Sequence, residues 1–435
     1  MTKIGLNCRL TDNLGQRTKR KNNSSITFRS GYIQIRNTTN NFWNVSRIEH
    51  IRHLAQTGRA VKPLETPLTH ERLLDRLSFT SFNMPLEDCD ADVDLAVSLA
   101  YGSIKLAAPI YFGDMSFGAL SGIPNIALAK AADLTETLAG TGEGGLHPEV
   151  RKCKRITVQW ASARFGVDLS TLSAGMAVVI KIGQGAKPGI GGHLPSTKVT
   201  DIISATRKIP VGTHALSPAP HHDIYSIEDL EQRIWALKEA TGKPVFVKVG
   251  ATNYVAYVAC GIARMGADGM ILDGFGAGTG ASPLVVKDNV GLPIEVALPV
   301  VDEALRRECL RDGFSVIAGG RVSCSADAAK LILLGADAVV LGTAALIAMG
   351  CIACGMCHTG KCPALLTNAA AYTTHETLSL DWATSRLVNF VKGFSEGLKI
   401  LVSGLGFKSV KDIVGRKDLL KFNEALTYSK KGVGY

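Results

Sequence analysis

Four cysteines lie close together in the stretch GCIACGMCHTGKCPALL, residues 350–366. They are Cys351, Cys354, Cys357 and Cys362, and a proline follows the last one. Their spacing is close to the cysteine run that binds an iron–sulfur cluster in bacterial ferredoxins, with one extra residue before the last cysteine. Zinc is the alternative, but zinc ribbons usually bring together two separated cysteine pairs. The spacing therefore favours an iron–sulfur cluster bound by these four thiols.

Two glycine-rich loops each carry a charged residue that could take part in catalysis. GQGAKPGIGGHLP (183–195) holds Lys187, and GTGEGGLHP (140–148) holds Glu143. Their glycines and prolines exclude helix and strand, so each charge stands on an irregular loop. A solvated side chain is the usual fate of a lone surface lysine. Because the strand-like run AVVIKIG leads into the lysine loop, a role at the catalytic end of a barrel is an equal alternative.

A third loop, SPAPHHDIYSIEDL, carries His221, His222 and Asp223 ahead of a helix. Ser226 and Asp229 have the spacing of a capping box and predict that the helix begins there. For the two histidines and the aspartate we expect hydrogen bonds to nearby backbone groups, a common role for such residues at a helix entrance.

The elements that must position these loops alternate from about residue 105 onwards. Short valine-rich runs bounded by proline or glycine, such as PVFVKVG (244–250), predict buried strands. Runs with helical periodicity, such as VVDEALRRECLRDG (300–313), lie between them. A longer run, DWATSRLVNFVKGFSEGLKILVSGLG, predicts a helix that ends near Gly404. Strand, helix and strand at this spacing predict right-handed crossovers between parallel strands.

Two α/β architectures fit this alternation, a doubly wound sheet and a (β/α)8 TIM barrel. Successive late strands end in AGG (318–320) and LGT (341–343), and the loops after the last two strands of a barrel often bind a phosphate group. GFGAGTG (274–280) resembles a dinucleotide fingerprint, but it comes late in the series and the proline of ASPL follows it. We therefore predict the barrel.

The segments on either side of the alternating pattern complete the predicted organisation. We predict an N-terminal extension over residues 1–84 that wraps the barrel or mediates assembly, and the barrel itself over 85–379, with its cluster segment at 350–363. A C-terminal helical tail follows over 380–435. The tail is amphipathic, so we expect it to pack against the barrel or a partner. We also expect a homo-oligomer.

Composition limits the class of protein. The chain has 435 residues, of which 46% are hydrophobic and 20% charged, as is ordinary for a globular protein. No apolar run reaches the roughly 18–20 residues that a membrane helix needs, and residues 1–20 lack the apolar core of a signal peptide. We therefore expect a cytoplasmic protein with reduced thiols. The net charge of +10 is partly due to a basic leader, which we expect to be solvated rather than to bind nucleic acid.

Seven stretches of the chain, in unbroken order over residues 85–365, match long motifs of one known family. They are GDMSFGALS, GTGEGG, QWASARFGV, GQGAKPGIGGHLP, LSPAPHHDIYSIEDL, GAGTGASP and the cysteine run. In these stretches the sequence resembles the FMN-binding synthase domain of glutamate synthase, and most of all its short, archaeal-type stand-alone form.

The resemblance implies an FMN-bearing (β/α)8 barrel beside an iron–sulfur cluster. Such an oxidoreductase reduces 2-iminoglutarate, formed from 2-oxoglutarate and ammonia, to L-glutamate. The resemblance implies catalytic roles for Lys187 and Glu143, and substrate contacts for Arg207, His193 and Ser217; an arginine matches a carboxylate well. The residues implied at the flavin ring are Met115, Ser116, Gln159, Lys181 and Lys248, and those implied at the phosphate are Gly278, Gly319, Gly320, Gly342 and Thr343.

Some positions depart from the pattern of the larger family. Ile190 and His193 stand where that family has a glutamate and a glutamine, and Gly140 stands where it has an asparagine. After the last cysteine, ALLTN replaces the usual run of small residues. The family's cluster is a three-iron (3Fe-4S) type that uses the positions of Cys351, Cys357 and Cys362. Cys354 is an additional thiol, which makes a 4Fe-4S cluster the alternative.

The resemblance also bears on partners. The family's glutaminase half begins with a nucleophilic N-terminal cysteine, whereas this chain begins Met-Thr-Lys. We therefore expect ammonia from solution or a separate glutaminase, and electrons from a donor subunit or a ferredoxin. Two other functions stay open: an N-methylglutamate synthase-like subunit, and a non-catalytic flavin and iron–sulfur electron-transfer subunit. The cysteine run argues against the first, and the presence of Lys187, Glu143 and Arg207 argues against the second.

Overall fold

The computed structural model of the chain describes residues 42–61, 72–82, 92–278, 282–367 and 378–423. It also describes the backbone of two short paired strands, Thr27–Arg29 and Tyr32–Gln34. The basic leader and most of the predicted N-terminal extension therefore lie outside the described residues.

Eight parallel strands close into a barrel in which each strand pairs with the next along the chain and the last pairs with the first. This arrangement confirms the predicted (β/α)8 TIM barrel. The strands are β1 (Ile110–Phe112), β2 (Leu138–Gly140), β3 (Ile156–Trp160), β4 (Ala177–Lys181), β5 (Val245–Gly250), β6 (Gly269–Asp273), β7 (Ser315–Gly319) and β8 (Ala338–Leu341).

Helices follow the strands and cover the barrel. The α-helices of the described residues are α1 (Val45–Thr57), α2 (Gly122–Thr135), α3 (Leu169–Leu172), α4 (Asp201–Arg207), α5 (Ile227–Thr241), α6 (Val255–Arg264), α7 (Leu284–Asn289), α8 (Ile294–Arg307), α9 (Ser325–Leu333), α10 (Thr343–Ala348) and α11 (Leu380–Gly404).

Shorter elements accompany the barrel. Further antiparallel strand pairs are Val97–Leu99 with Ile104–Leu106, His193–Leu194 with Ala215–Leu216, and Leu77–Phe79 with Leu420–Phe422. Within the described residues, the 3-10 helices are Leu73–Arg76, Val150–Lys152, Ser196–Lys198, Cys357–Thr359, Val410–Ile413 and Lys417–Leu419.

The barrel strands are continuous apolar runs because both of their faces are covered, by side chains inside the barrel and by helices outside. β4 has the sequence AVVIK and β5 the sequence VFVKVG, and every residue but the last of each is buried. The run PVFVKVG thus forms the strand that its composition predicts.

Helix α8 differs from its predicted span of 300–313. It begins earlier, at Ile294, and ends at Arg307, with Pro299 inside it. A proline removes one backbone hydrogen bond within a helix, but here Leu298 and Val301 on either side are fully buried. Burial of these neighbouring residues therefore stabilises a helix that contains a proline in its interior.

The terminal segments pack on the barrel. Helix α11, which ends at Gly404 as predicted, contacts α1, α2 and α9. The guanidinium of Arg72 lies 2.7 Å from the carboxylate of Asp327 on α9, and both residues are buried. The described part of the N-terminal region and the long C-terminal helix therefore cover the same side of the barrel. Among the described residues, no helix combines the length and the apolar character that crossing a membrane requires.

Candidate functional site

A cavity opens where the barrel strands end. Its wall includes residues at the carboxyl ends of successive strands, where the active sites of barrel enzymes lie. All of the residues that the sequence analysis predicted at a site line this cavity, with the exception of Ser217. The predicted catalytic, cofactor and cysteine residues, which are spread over 248 positions from 115 to 362 in the sequence, therefore face one space.

Glu143, in the loop after β2, lies among cations. Its Oε2 is 3.4 Å from Nζ of Lys181 at the end of β4 and accepts a hydrogen bond from Oγ of Ser217 at 3.3 Å. Burial alone would raise the pKa of Glu143, but Lys181, Arg207 and Lys187 outweigh burial and lower it. Glu143 is therefore a carboxylate at neutral pH. Ser217 is buried and does not itself line the cavity.

Lys187 is held by its own loop. Its Nζ donates a hydrogen bond to the backbone oxygen of Gly191 at 2.7 Å. Burial lowers the pKa of the ammonium, and the nearby charge of Lys181 lowers it further. A lysine with a lowered pKa gives up its proton more readily than an exposed one, which suits a proton donor.

Arg207, the last residue of α4, is 3% exposed. Its terminal nitrogen donates to the backbone oxygen of Phe117 at 3.1 Å and to Oγ of Ser116 at 3.3 Å. Its Nε is buried and has no hydrogen-bond partner within the described part of the chain. The guanidinium fits against Gly144, where an added Cβ would lie 2.6 Å from its central carbon. A buried guanidinium with a donor to spare can bind an anionic ligand such as a carboxylate.

Lys248 on β5 lies in a buried network of charges. Its Nζ is 2.7 Å from Oδ2 of Asp114 and 3.3 Å from Oδ2 of Asp273. Tyr111 donates a hydrogen bond from its hydroxyl to Oδ1 of Asp114 at 2.7 Å. Burial would lower the pKa of Lys248, but the two carboxylates raise it above its usual value. The ammonium therefore stays charged at neutral pH and ties together the ends of three strands.

The sequence analysis missed both carboxylates of this network. Asp114 and Asp273 stand in the stretches GDMSFGALS and MILDGFG, directly after or at the end of a barrel strand. An acidic residue at the carboxyl end of a barrel strand is itself a signal for a site. That signal was available once the strands had been placed.

Gln159 on β3 carries a second unpaired donor. The residue is 3% exposed, and its Nε2 is buried without a hydrogen-bond partner among the residues that the structure describes. A buried donor without a partner costs about 1–3 kcal/mol. Because Gln159 lines the cavity, this donor is available to a ligand with an acceptor atom.

The glycines after β7 and β8 form another part of the wall. Gly319, Gly320, Gly342 and Thr343 all line the cavity. Gly320 has a φ of +156°, and an added Cβ there would lie 3.0 Å from the side chain of Ile294, so a larger residue would be strained at this position. Exposed backbone N–H groups in such loops can bind a phosphate group.

Arg321 follows these glycines directly and also lines the cavity. Its guanidinium lies over the ring of Phe275, with the central carbon 4.8 Å from the ring centroid. The sequence analysis did not single out this arginine, although its position immediately after AGG was visible.

His193 lies at the outer end of the cavity. It is exposed, and its Nε2 is 3.1 Å from Nδ1 of His214. His221, by contrast, is 2% exposed, and its Nε2 donates to the backbone oxygen of Lys181 at 2.7 Å. Its Nδ1 then accepts from Arg164 at 2.9 Å. His221 thus satisfies a backbone group 40 positions away and supports the end of β4 that carries Lys181. Asp223 pairs with the side chains of Arg164 and Arg233. The expected hydrogen bonds to backbone groups near the helix entrance are therefore wrong for these two residues.

The four clustered cysteines line the same cavity and form no disulfide. Burial raises the pKa of the Cys351 thiol, and the charges of Cys357, Cys362 and Cys354 raise it further. Each of the other three is thus close enough to influence Cys351 electrostatically. Across the described ranges, no group of three or more His, Cys, Asp or Glu residues converges closely enough to hold one metal ion.

Comparison with known proteins agrees with this geometry. A family described as a conserved region in glutamate synthase matches residues 44–408. The archaeal glutamate synthase [NADPH] of Archaeoglobus fulgidus is 46% identical over 372 residues, which are 84% of this chain and 71% of that protein. The archaeal-type glutamate synthase [NADPH] of Thermotoga neapolitana is 48% identical over 369 residues, 84% of this chain and 72% of that protein.

Solved structures share the fold at lower identity. A flavocytochrome b2 variant with sulfite bound matches with a TM-score of 0.52 at 16% identity, over 88% of this chain and 86% of that one. This likeness shows the fold alone. Because the family match covers most of the chain and the relatives are nearly half identical to it, this chain belongs to the glutamate synthase family, in its archaeal-type form, and is an oxidoreductase.

Proposed function

We propose that this protein binds FMN and an iron–sulfur cluster and reduces 2-iminoglutarate, formed from 2-oxoglutarate and ammonia, to L-glutamate. One observation carries the proposal: the buried cation Arg207 and the half-buried cation Lys187 face the same cavity as Gln159, the glycine loops and the four cysteines. One cavity therefore contains cations suited to a dianionic substrate, a donor and glycine loops suited to a flavin, and thiols suited to a cluster.

The residues of the cavity wall fit a flavin. The unpaired donor of Gln159 suits an acceptor atom at the edge of a planar ring. Met115 and Ser116, in the loop after β1, line the wall with it, and so do Lys181 and Lys248. For the phosphate we propose the glycine loops after β7 and β8 together with Arg321, because backbone N–H groups and a guanidinium both suit an anion. Apart from Arg321, the residues proposed at the phosphate are Gly278, Gly319, Gly320, Gly342 and Thr343.

The cysteines fit an iron–sulfur cluster better than a zinc ion. Zinc draws its ligands to within about 2.3 Å of one point, whereas the thiolates of a cluster bind different irons and stand further apart. Four mutually interacting thiols that do not converge on a single metal position, as far as the described residues go, match the second case. We propose Cys351, Cys354, Cys357 and Cys362 as the ligands.

The proposed chemistry divides between the bound groups and the side chains. When bound, FMN supplies the hydride that reduces the imine carbon, and the cluster supplies electrons one at a time. Arg207 binds a substrate carboxylate through its unpaired Nε and so orients the imine. Lys187, whose pKa burial lowers, holds the proton that the nitrogen gains. Glu143 balances the positive charge of these groups, and Ser217 keeps its carboxylate in place.

The remaining components come from partners. The relatives carry NADPH in their names, and we propose NADPH as the source of electrons here, delivered through a donor subunit or a ferredoxin. Ammonia comes from solution or from a separate glutaminase.

The test is anaerobic purification followed by flavin and iron analysis and an assay of L-glutamate formation from 2-oxoglutarate. Ammonium, glutamine and methylamine serve as separate nitrogen sources, with a chemically reduced ferredoxin as electron donor. We expect FMN, iron and ammonium-dependent glutamate formation. A protein that contains flavin without iron and that forms only N-methylglutamate would refute the proposal.

A further inference from the structure

A buried lysine outside the proposed catalytic and cofactor-binding residues lies beside the cysteine segment. Lys198 is the last residue of the 3-10 helix Ser196–Lys198 and is 3% exposed. Its Nζ donates a hydrogen bond to the backbone oxygen of Cys357 at 2.9 Å and another to the backbone oxygen of Ala119 at 3.3 Å. The lysine thus joins the chain after the β4 loop to the loop after β1 and to the cysteine segment.

The charge of this lysine lies beside the cysteine segment. Both of its hydrogen-bond partners are carbonyl oxygens, and within the described ranges no carboxylate forms an ion pair with it. An ammonium that donates only to carbonyl oxygens keeps its charge unneutralised, and here that charge lies 2.9 Å from the backbone of Cys357.

We propose that the Lys198 ammonium is a positioning residue that raises the reduction potential of the iron–sulfur cluster bound by the four cysteines. This inference rests on the proposed function, which supplies the cluster. A bound cluster would accept one electron at a time, so its reduced form would carry one more negative charge than its oxidised form. A fixed positive charge stabilises the reduced form more than the oxidised form.

The burial of Lys198 determines the size of the effect. A unit charge within about 8 Å at an effective dielectric constant of about 20 changes an equilibrium constant by roughly tenfold or more. For a one-electron couple, tenfold corresponds to about 59 mV. Solvent would screen an exposed lysine at a similar distance much more strongly.

Lys361 provides a matched control. It precedes Cys362 directly and is exposed, and its backbone N–H, rather than its side chain, is the group that bonds to Thr359. The experiment compares anaerobically purified wild type with K198M, K198Q, K198R and K361M. The cluster potential is measured by a redox titration followed by electron paramagnetic resonance, after iron, sulfide and FMN have been quantified.

We expect at least a tenfold loss in the equilibrium constant for reduction in K198M and K198Q. K198R should stay near the wild-type potential because it keeps the charge, and K361M should change little. The inference is overturned if K198Q, with full iron content, keeps the wild-type potential, or if K361M shifts it as much. If K198M loses iron, the potential of K198Q decides. If both lose iron while K198R keeps it, Lys198 is required for binding the cluster, and the inference that it acts on the potential is overturned. Wild-type protein without any cluster would instead refute the proposed function.

Discussion

Replacing Gln159 with methionine should have two effects of opposite sign. Methionine keeps most of the side-chain length but has no N–H donor. In the flavin-free protein, Nε2 of Gln159 is buried and unpaired among the described residues, so the substitution removes an unsatisfied group. In the flavin-bound protein, the same substitution would remove the hydrogen bond that we propose between Gln159 and the flavin. We therefore expect Q159M to be at least as stable as wild type without FMN and to bind FMN more weakly.

The magnitudes follow from the burial of the donor. An unpaired buried donor costs about 1–3 kcal/mol, so the flavin-free variant should gain on the order of 1 kcal/mol in the free energy of unfolding. A hydrogen bond in a buried site contributes about 1–2 kcal/mol to binding, which corresponds to roughly 5–30-fold in the dissociation constant of FMN. The stabilisation that a fixed FMN concentration confers on the protein should shrink accordingly.

The assay is chemical denaturation of deflavinated protein with and without FMN, together with a fluorescence titration of FMN. Gln184 provides the control, since it lines the same cavity but is only half-buried and is not among the unpaired buried groups. Q184M should leave the stability of the flavin-free protein unchanged. An FMN affinity of Q159M equal to that of wild type would show that the unpaired donor does not face the flavin.

Three further predictions concern the charged residues of the cavity. K187A should lower the turnover number for glutamate by about 10²–10⁴-fold at unchanged FMN content, as is typical for the loss of a proton donor. Because burial lowers the pKa of Lys187, the wild-type turnover number should fall as pH rises through a pKa below that of an ordinary lysine, and a pH profile without that fall would contradict its role. R207K should raise the KM for 2-oxoglutarate by roughly 10–100-fold, because lysine cannot present the same fork of donors; steady-state kinetics with an unchanged KM would remove Arg207 from the substrate site. K248M should lower the free energy of unfolding by about 3–5 kcal/mol, because it leaves Asp114 and Asp273 buried without their cation. Since burial already raises the pKa of Asp273, its protonation should relieve this loss as pH falls, and a urea denaturation series with an equal loss at all pH values would contradict that account.

Much of the architecture follows from local patterns in the chain. Runs such as PVFVKVG predict a strand, and the amphipathic run before Gly404 predicts a helix, because burial imposes a period on neighbouring residues. The structure has both elements where these patterns lie. The cysteine spacing and the glycine loops around Lys187 and Glu143 are local signals of the same kind.

Contacts between distant loops are not local signals. Lys181, Glu143 and Ser217 come from three different loops or strand ends, and they meet because β2 and β4 end at the same rim of the barrel. Lys248 has the same dependence, because its partners Asp114 and Asp273 follow β1 and end β6. The sequence analysis accordingly expected Lys248 near a flavin but had no basis for its two carboxylates.

The linear sequence was sufficient to predict the barrel, the family and the residue types that its chemistry needs, because periodic burial and short motifs involve neighbouring positions. It was not sufficient to predict which charged side chains form ion pairs, or that Lys198 forms a hydrogen bond with the backbone of Cys357. The charged pairs Lys181–Glu143 and Lys248–Asp114 lie 38 and 134 positions apart in the sequence, and Lys198 and Cys357 lie 159 positions apart. Closure of the barrel brings these residues together. A side chain's partners, burial and pKa depend on that closure, because they are determined by the residues that surround the side chain in the fold and not by its neighbours in the sequence.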